Sequence, residues 1–223
     1  MFSGEYSKSV GPKTLIVVVF SSVIIVAGIC MFCGKEELVP LTMNGNELRQ
    51  IILFIGLVIY ALRLLITLFV FLKRRMSWGE GLLISLVMPS VLLALAYFGG
   101  NQKTDVGVID SIGIVLYLCG SFLNSYSEYQ RYVWKKQAEN KGHLFTGGLF
   151  RYSMHINYLG DVLLFTGLAL ITRVPLLLVI PLFMALNFIF ILIPSLDIYL
   201  AQKYSTEFKV YALKTKRFIP FIY

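Results

Sequence analysis

Long apolar runs alternate with short polar stretches along this chain. Six of the runs approach the roughly 20 residues that a bilayer core requires. They lie at about Leu15–Phe32, Ile51–Leu72, Leu82–Phe98, Val106–Leu123, Tyr158–Ile171 and Leu176–Ile193. The fifth is short, and Pro175 and Pro181 interrupt the region after it, which predicts a tilted or broken hairpin for the last two. The polar stretches divide the rest. Residues 1–13 read as frayed or interfacial, and residues 34–50 as a loop with Pro40 and Gly45 as breakers. The stretch 124–142 continues the fourth span as a polar, aromatic and basic helix, ended by Gly142, Gly147 and Gly148. Residues Asp197 to Lys216 read as an interfacial helix, stopped by Pro220. The expected fold is all-α, a polytopic membrane protein of about six transmembrane helices plus a C-terminal interfacial helix, with residues 1–223 forming a single membrane domain.

Composition agrees with the pattern. Of 223 residues, 57% are hydrophobic and 14% charged, and mean hydropathy is +0.77, a profile outside the range of soluble domains. The first apolar run is too long for a signal-peptide core and lacks a small-residue cleavage site, so it reads as a span. The net charge of +8 would suggest nucleic acid in a soluble protein. Here the cations sit beside apolar spans, which points to the lipid bilayer and its anionic headgroups as the partner, with no nucleic acid. With the amino terminus inside, Lys73, Arg74 and Arg75, the basic run from Arg131 to Lys141, and the run from Lys203 to Arg217 all fall on the cytoplasmic side. Lys35, Arg49, Lys103 and Arg173 fall on the other. The bias predicts both termini in the cytoplasm. The membrane would be the endoplasmic reticulum in a eukaryote or the inner membrane in a bacterium. Cys30 and Cys33 form a CxxC with no second pair or histidine beside it, and they read, with Cys119, as small apolar residues.

The polar chemistry concentrates in Gly147–Asp161, GGLFRYSMHINYLGD. This stretch opens a hydrophobic run, where hydrogen-bonding groups usually have a use. Asn157 and Asp161 are four residues apart at its end, and Asp161 also suits a helix dipole. Upstream, Asn124, Glu128, Arg131 and Lys135 are spaced four, three and four apart, on one helical face. Such a face can hold the ribose and phosphates of a nucleotide, cations meeting phosphate and amide or carboxylate meeting hydroxyl. The same spacing suits a juxtamembrane face solvated by water and headgroups. His155 fits an interfacial histidine, and with His143 as the other histidine of the chain no metal site is expected. Tyr60 and Arg63 lie one turn apart inside the second span. A phenol beside a cation can polarise a substrate carbonyl and supply a proton; the plainer alternative is Arg63 snorkelling while Tyr60 packs. Glu207, Tyr211 and Lys214 share a face of the C-terminal helix with part of Tyr204, as a cover for a site or as an amphipathic anchor. No GxGxxG after a strand, Walker loop, GxSxG or HExxH occurs.

Taken together, GGLFRYSMHINYLGD, NSYSE from Asn124 to Glu128, and the terminal RFIPFIY resemble the C-terminal domain of steroid 5α-reductases. NYLGD also resembles the same string in sterol C14 and C7 reductases. A more distant resemblance runs to isoprenylcysteine carboxyl methyltransferases and phospholipid methyltransferases. The resemblance covers roughly residues 120–223 well and the first half weakly. It implies a membrane-embedded NADPH-dependent reductase acting on an activated carbon–carbon double bond of a lipophilic small molecule. On that reading residues 120–223 form the cofactor half and residues 1–119 the substrate side. By resemblance the cofactor-binding residues are Asn124, Glu128, Lys135, His143, Asn157, Asp161 and Tyr204, and the catalytic pair is Tyr60 with Arg63. The sequence departs from the family at Met154-His155-Ile156, where sterol reductases carry Arg-His-Pro, and no match is found for the glutamate that 5α-reductases pair with the tyrosine. An alternative is a methyltransferase using S-adenosylmethionine, in which His155 and Glu207 would matter more. A third is a non-catalytic membrane protein.

Overall fold

The computed structural model describes residues 9–33 and 42–222. Lys35 and Pro40, which bear on the topology and the first loop, lie outside the described residues. The described chain is helical, with five helices long and apolar enough to cross a bilayer: Val10–Phe32, Glu47–Phe71, Trp78–Gly100, Val108–Lys136 and Pro175–Lys214. Ile156–Ile171 is a shorter apolar helix, as the short fifth run predicted. The protein is an integral membrane protein of the all-α class.

The residues divide into two compact units. One gathers those up to Tyr117 together with Thr166–Ile180; the other gathers Leu118–Phe165 with those from Pro181 onward.

The first unit contains α1 (Val10–Phe32), α2 (Glu47–Ile66) and α3 (Trp78–Gly100), with the start of α4 (Val108–Lys136) and the end of α5 (Ile156–Ile171). Helix α1 begins at Val10, five residues before the expected Leu15, because Pro12 falls in its first turn, where a missing N–H costs nothing. Asn46 caps α2 by accepting from Arg49 N at 3.1 Å, and Ser77 caps α3 by accepting from Glu80 N at 3.1 Å. A π-helical turn, Thr67–Phe71, ends α2.

Arg49 reads from sequence as a loop charge. It lies instead in the first turn of α2 and is fully buried. Its guanidinium meets Asp110 at 3.3 Å and donates to the carbonyls of Gln102, Thr104 and Asp105. Arg173 reaches the other oxygen of Asp110 at 2.8 Å. Two arginines and one buried carboxylate therefore tie α2, the 101–107 connection, the start of α4 and the turn after α5 into one end of this unit. Gly113 and Gly167 allow α4 and α5 to meet without side chains between them.

The second unit holds the end of α4, the start of α5, α6 (Val179–Asn187), a π-helical turn at Phe188–Leu192, and α7 (Ile193–Lys214). Helix α4 stops at Lys136, earlier than its glycines suggested. Asn140 Nδ2 donates to Trp134 O at 2.9 Å and to Gln137 Oε1 at 2.6 Å, so a side-chain amide closes the helix end. Helix α7 starts at Ile193 rather than Asp197, since Pro194 sits in its first turn. Ser205, at φ 41°, breaks it into two segments. Met154, Phe208 and Tyr211 form a small core, against which Leu144, Leu200, Ala201 and Tyr204 pack.

Candidate functional site

The candidate site is built where α4 and α5 cross in the second unit. A Cβ on Gly160 would lie 2.6 Å from Asn124 N and 2.8 Å from Gly120 O. Only glycine permits this approach, and it brings the first turns of α5 against the polar half of α4. Gly160→Ala is expected to lower stability by about 1–3 kcal/mol through overpacking, read as a reduced thermal melting temperature in detergent. An unshifted melting temperature would mean that the helices part without cost.

The crossing joins the four polar residues. Asn124 Nδ2 donates to Asp161 Oδ1 at 2.9 Å and to the Asn157 carbonyl at 3.1 Å. Asn157 Nδ2 donates to Glu128 Oε1 at 2.9 Å. The other oxygen of Glu128 accepts from Arg131, one turn further along α4. Two amides and two carboxylates thus hold one another at fixed separations. Glu128 is buried, and Asn124, Asn157 and Asp161 are half-buried. Charge-assisted hydrogen bonds of this kind are roughly twice as strong as neutral ones.

Cations border the quartet. The Arg131 guanidinium lies over the Phe150 ring at 5.4 Å. Helix α4 is 29 residues long, more than a roughly 30 Å hydrocarbon core needs, and Lys135 lies in its last turn, in the polar stretch that follows the apolar run. Lys135 has exposed surface yet is crowded by protein on its other sides. Desolvation by that surrounding, helped by the charges of Arg131 and Lys203 and opposed by Glu128, pushes its ammonium down to about 8. On α7, Lys203 donates to Tyr199 OH at 3.1 Å and lies over the Tyr204 ring at 5.4 Å. Tyr204 packs on the Met154–Phe208–Tyr211 core.

His143 takes a different partner. Its Nδ1 lies 2.6 Å from Glu207 Oε1, while Leu144 N donates to Glu207 Oε2 at 2.8 Å. The pair is solvent-exposed and ties the 142–144 turn to the outer segment of α7. Tyr211, one turn after Glu207 on α7, is buried and donates to Phe150 O at 2.6 Å.

Tyr60 and Arg63 belong to the first unit, one turn apart on α2 and half-buried. Tyr60 stacks on Phe20 of α1, with centroids 6.1 Å apart. Phe20 also lines an apolar cavity of about 230 Å³ between α1 and α2, with Ile24, Val58, Ala61 and Leu65.

One constellation escaped the sequence reading. Asp197 sits 2.9 Å from His155 Nε2 and 3.3 Å from Arg217 Nε. These residues are 42 and 20 positions apart in sequence, and no periodicity connects them.

Two comparisons bear on what the site belongs to. The family described as "Protein of unknown function (DUF1295)" matches residues 82–215. The chain is also 30% identical over 145 residues to the Rattus norvegicus protein 3-oxo-5-alpha-steroid 4-dehydrogenase 2, a match covering 65% of this chain and 53% of that protein. The chain therefore spans about half the length of the curated relative it matches.

Proposed function

This chain belongs to the DUF1295 family, and we propose that it is a membrane-embedded, NADPH-dependent reductase of an activated, enone-like double bond in a steroid or other lipophilic substrate. The observation that carries the reading is the joining of Asn124, Glu128, Asn157 and Asp161 beside Arg131 and Lys135. The likeness to a steroid dehydrogenase supplies the substrate class.

The donor set fits a phosphorylated dinucleotide. Carboxylates and amides accept from and donate to ribose hydroxyls and a carboxamide, and the adjoining cations suit phosphate. Asn124, Glu128, Asn157 and Asp161 would bind the nucleoside portions, Arg131 and Lys135 the phosphates, and Tyr204 would border the site from α7. Bound NADPH supplies a hydride to the substrate. On the substrate side we assign Tyr60 as the group that donates a proton from its phenol, with the Arg63 guanidinium favouring negative charge on oxygen. His143, paired with Glu207, would act by holding the 142–144 turn and not by binding phosphate.

The test is turnover. Purified protein is expected to oxidise NADPH only when a 3-oxo-4-ene steroid or similar enone lipid is present, with the reduced lipid recovered. Thermal stabilisation by S-adenosylhomocysteine but not by NADP⁺ would favour the methyltransferase instead.

Lys135 gives a pH dependence with a definite sign. Its ammonium titrates at about 8 in the free protein, and a bound phosphate would raise that value. Below pH 8 the lysine is charged in both states and affinity stays level. Above it, binding must take up a proton, so NADPH affinity is expected to fall by up to about tenfold per pH unit. Lys135→Arg, always charged, should abolish the fall. An equal fall in wild type and variant would remove Lys135 from the phosphate site.

A further inference from the structure

Asp197 is a buried carboxylate that the proposed chemistry does not use. It holds two groups from distant parts of the second unit, the His155 ring and the Arg217 guanidinium. His155 is itself buried, and it stands at the point where α5 begins. Its carbonyl accepts from Tyr158 N at 3.0 Å and Leu159 N at 3.2 Å. Its own N–H donates to Arg217 O at 3.0 Å, beside a Met154 N to Lys216 O bond of 2.8 Å. Its ring stacks on Tyr158, with centroids 5.7 Å apart, and Tyr158 stacks on Phe188 at 4.6 Å. The ring is thus held at its edge by Asp197 and on its face by Tyr158, the backbone is tied to Arg217 O, and the residue stands at the start of the helix that presents Asn157 and Asp161.

A buried carboxylate–imidazole pair contributes little net stability, because desolvation offsets most of the attraction, and an apolar pair would fill the same space. What the polar pair supplies is direction: a hydrogen bond at 2.9 Å allows one ring orientation where apolar packing allows several. We propose that Asp197, acting through His155, is a positioning residue that fixes the first turn of α5, and with it the reach of Asn157 to Glu128 and of Asp161 to Asn124. Its consequence for cofactor binding rests on the proposed nucleotide site; its effect on the helix does not.

The experiment uses the full chain in detergent or nanodiscs. Hydrogen exchange of residues 153–161 is measured without nucleotide in wild type, Asp197→Leu, His155→Ala and His155→Gln, and NADPH affinity is measured on the same samples. Asp197→Leu and His155→Ala are expected to speed exchange in 153–161 about tenfold, with α4 unchanged. NADPH affinity should fall roughly tenfold in both, in line with couplings between packed sites. His155→Gln, whose amide can still donate to Asp197, should stay within about twofold of wild type. If Asp197→Leu does not fold, Asp197→Asn takes its place with a smaller expected rise, about threefold. Unchanged exchange in 153–161, or a His155→Gln as impaired as His155→Ala, would overturn the proposal. A wild type that does not bind NADPH would remove the nucleotide reading alone, since the exchange comparison is made without ligand.

Discussion

Replacing Asn157 by alanine is expected to weaken NADPH binding between tenfold and a hundredfold while leaving the fold intact. Asn157 is half-buried, so its removal opens little cavity. Its loss to the site is specific: the Nδ2 bond to Glu128 at 2.9 Å disappears, and Glu128 is left to Arg131. A hydrogen bond to a charged group is worth about 1.5–3 kcal/mol, which gives that range. Asn157→Asp should be worse, because it sets a second carboxylate against Glu128 where an amide donated. Titration of the purified variants by nucleotide fluorescence measures both. An alanine variant with wild-type affinity would take Asn157, and the α4–α5 crossing with it, out of the binding site.

The second large effect concerns stability. Asp110→Ala is expected to destabilise the protein by about 3–5 kcal/mol, the usual cost of leaving a buried charge without its partner. Arg49 and Asp110 side chains are both fully buried, whereas that of Arg173 is 24% exposed. Removing the carboxylate therefore strands Arg49 with only the carbonyls of the 101–107 connection. Arg173→Ala removes the partner that water can reach and should cost about 1 kcal/mol. Thermal unfolding in detergent, by fluorescence or loss of solubility, orders the two. Equal losses would mean that water reaches the buried end of the cluster and that Arg49 is not held by Asp110.

Much of the fold is legible in the chain, and the reasons are specific. The apolar runs locate the spans, because lipid-facing helices need unbroken hydrophobic length. Asn124–Glu128 and Asn157–Asp161 are legible because spacing by four residues marks one helical face, and the motifs around them point to a steroid 5α-reductase-like family, which the rat relative bears out. The ties that depend on contact across sequence are not legible. Arg49 looks like a loop charge until Asp110, 61 residues later, is seen beside it. Asp197 looks like the polar start of an interfacial helix until His155 is found against it. Helix ends fail for a related reason: Asn140 closes α4 with a side-chain amide ahead of the glycines, and a π-helical turn leads into Pro194 where proline would otherwise have stopped the chain. Ser205 carries the break in α7 with no glycine or proline to announce it. The pairing of His143 with Glu207 is likewise hidden, 64 residues apart.

The central claim is that the amides and carboxylates at the α4–α5 crossing grip a dinucleotide. An experimental structure of the protein with NADPH tests it most directly. Cofactor density is expected against Asn124, Glu128, Asn157 and Asp161, with phosphate beside Arg131 and Lys135. Density elsewhere in the molecule, with the four side chains bonded to one another as they are without ligand, would contradict it.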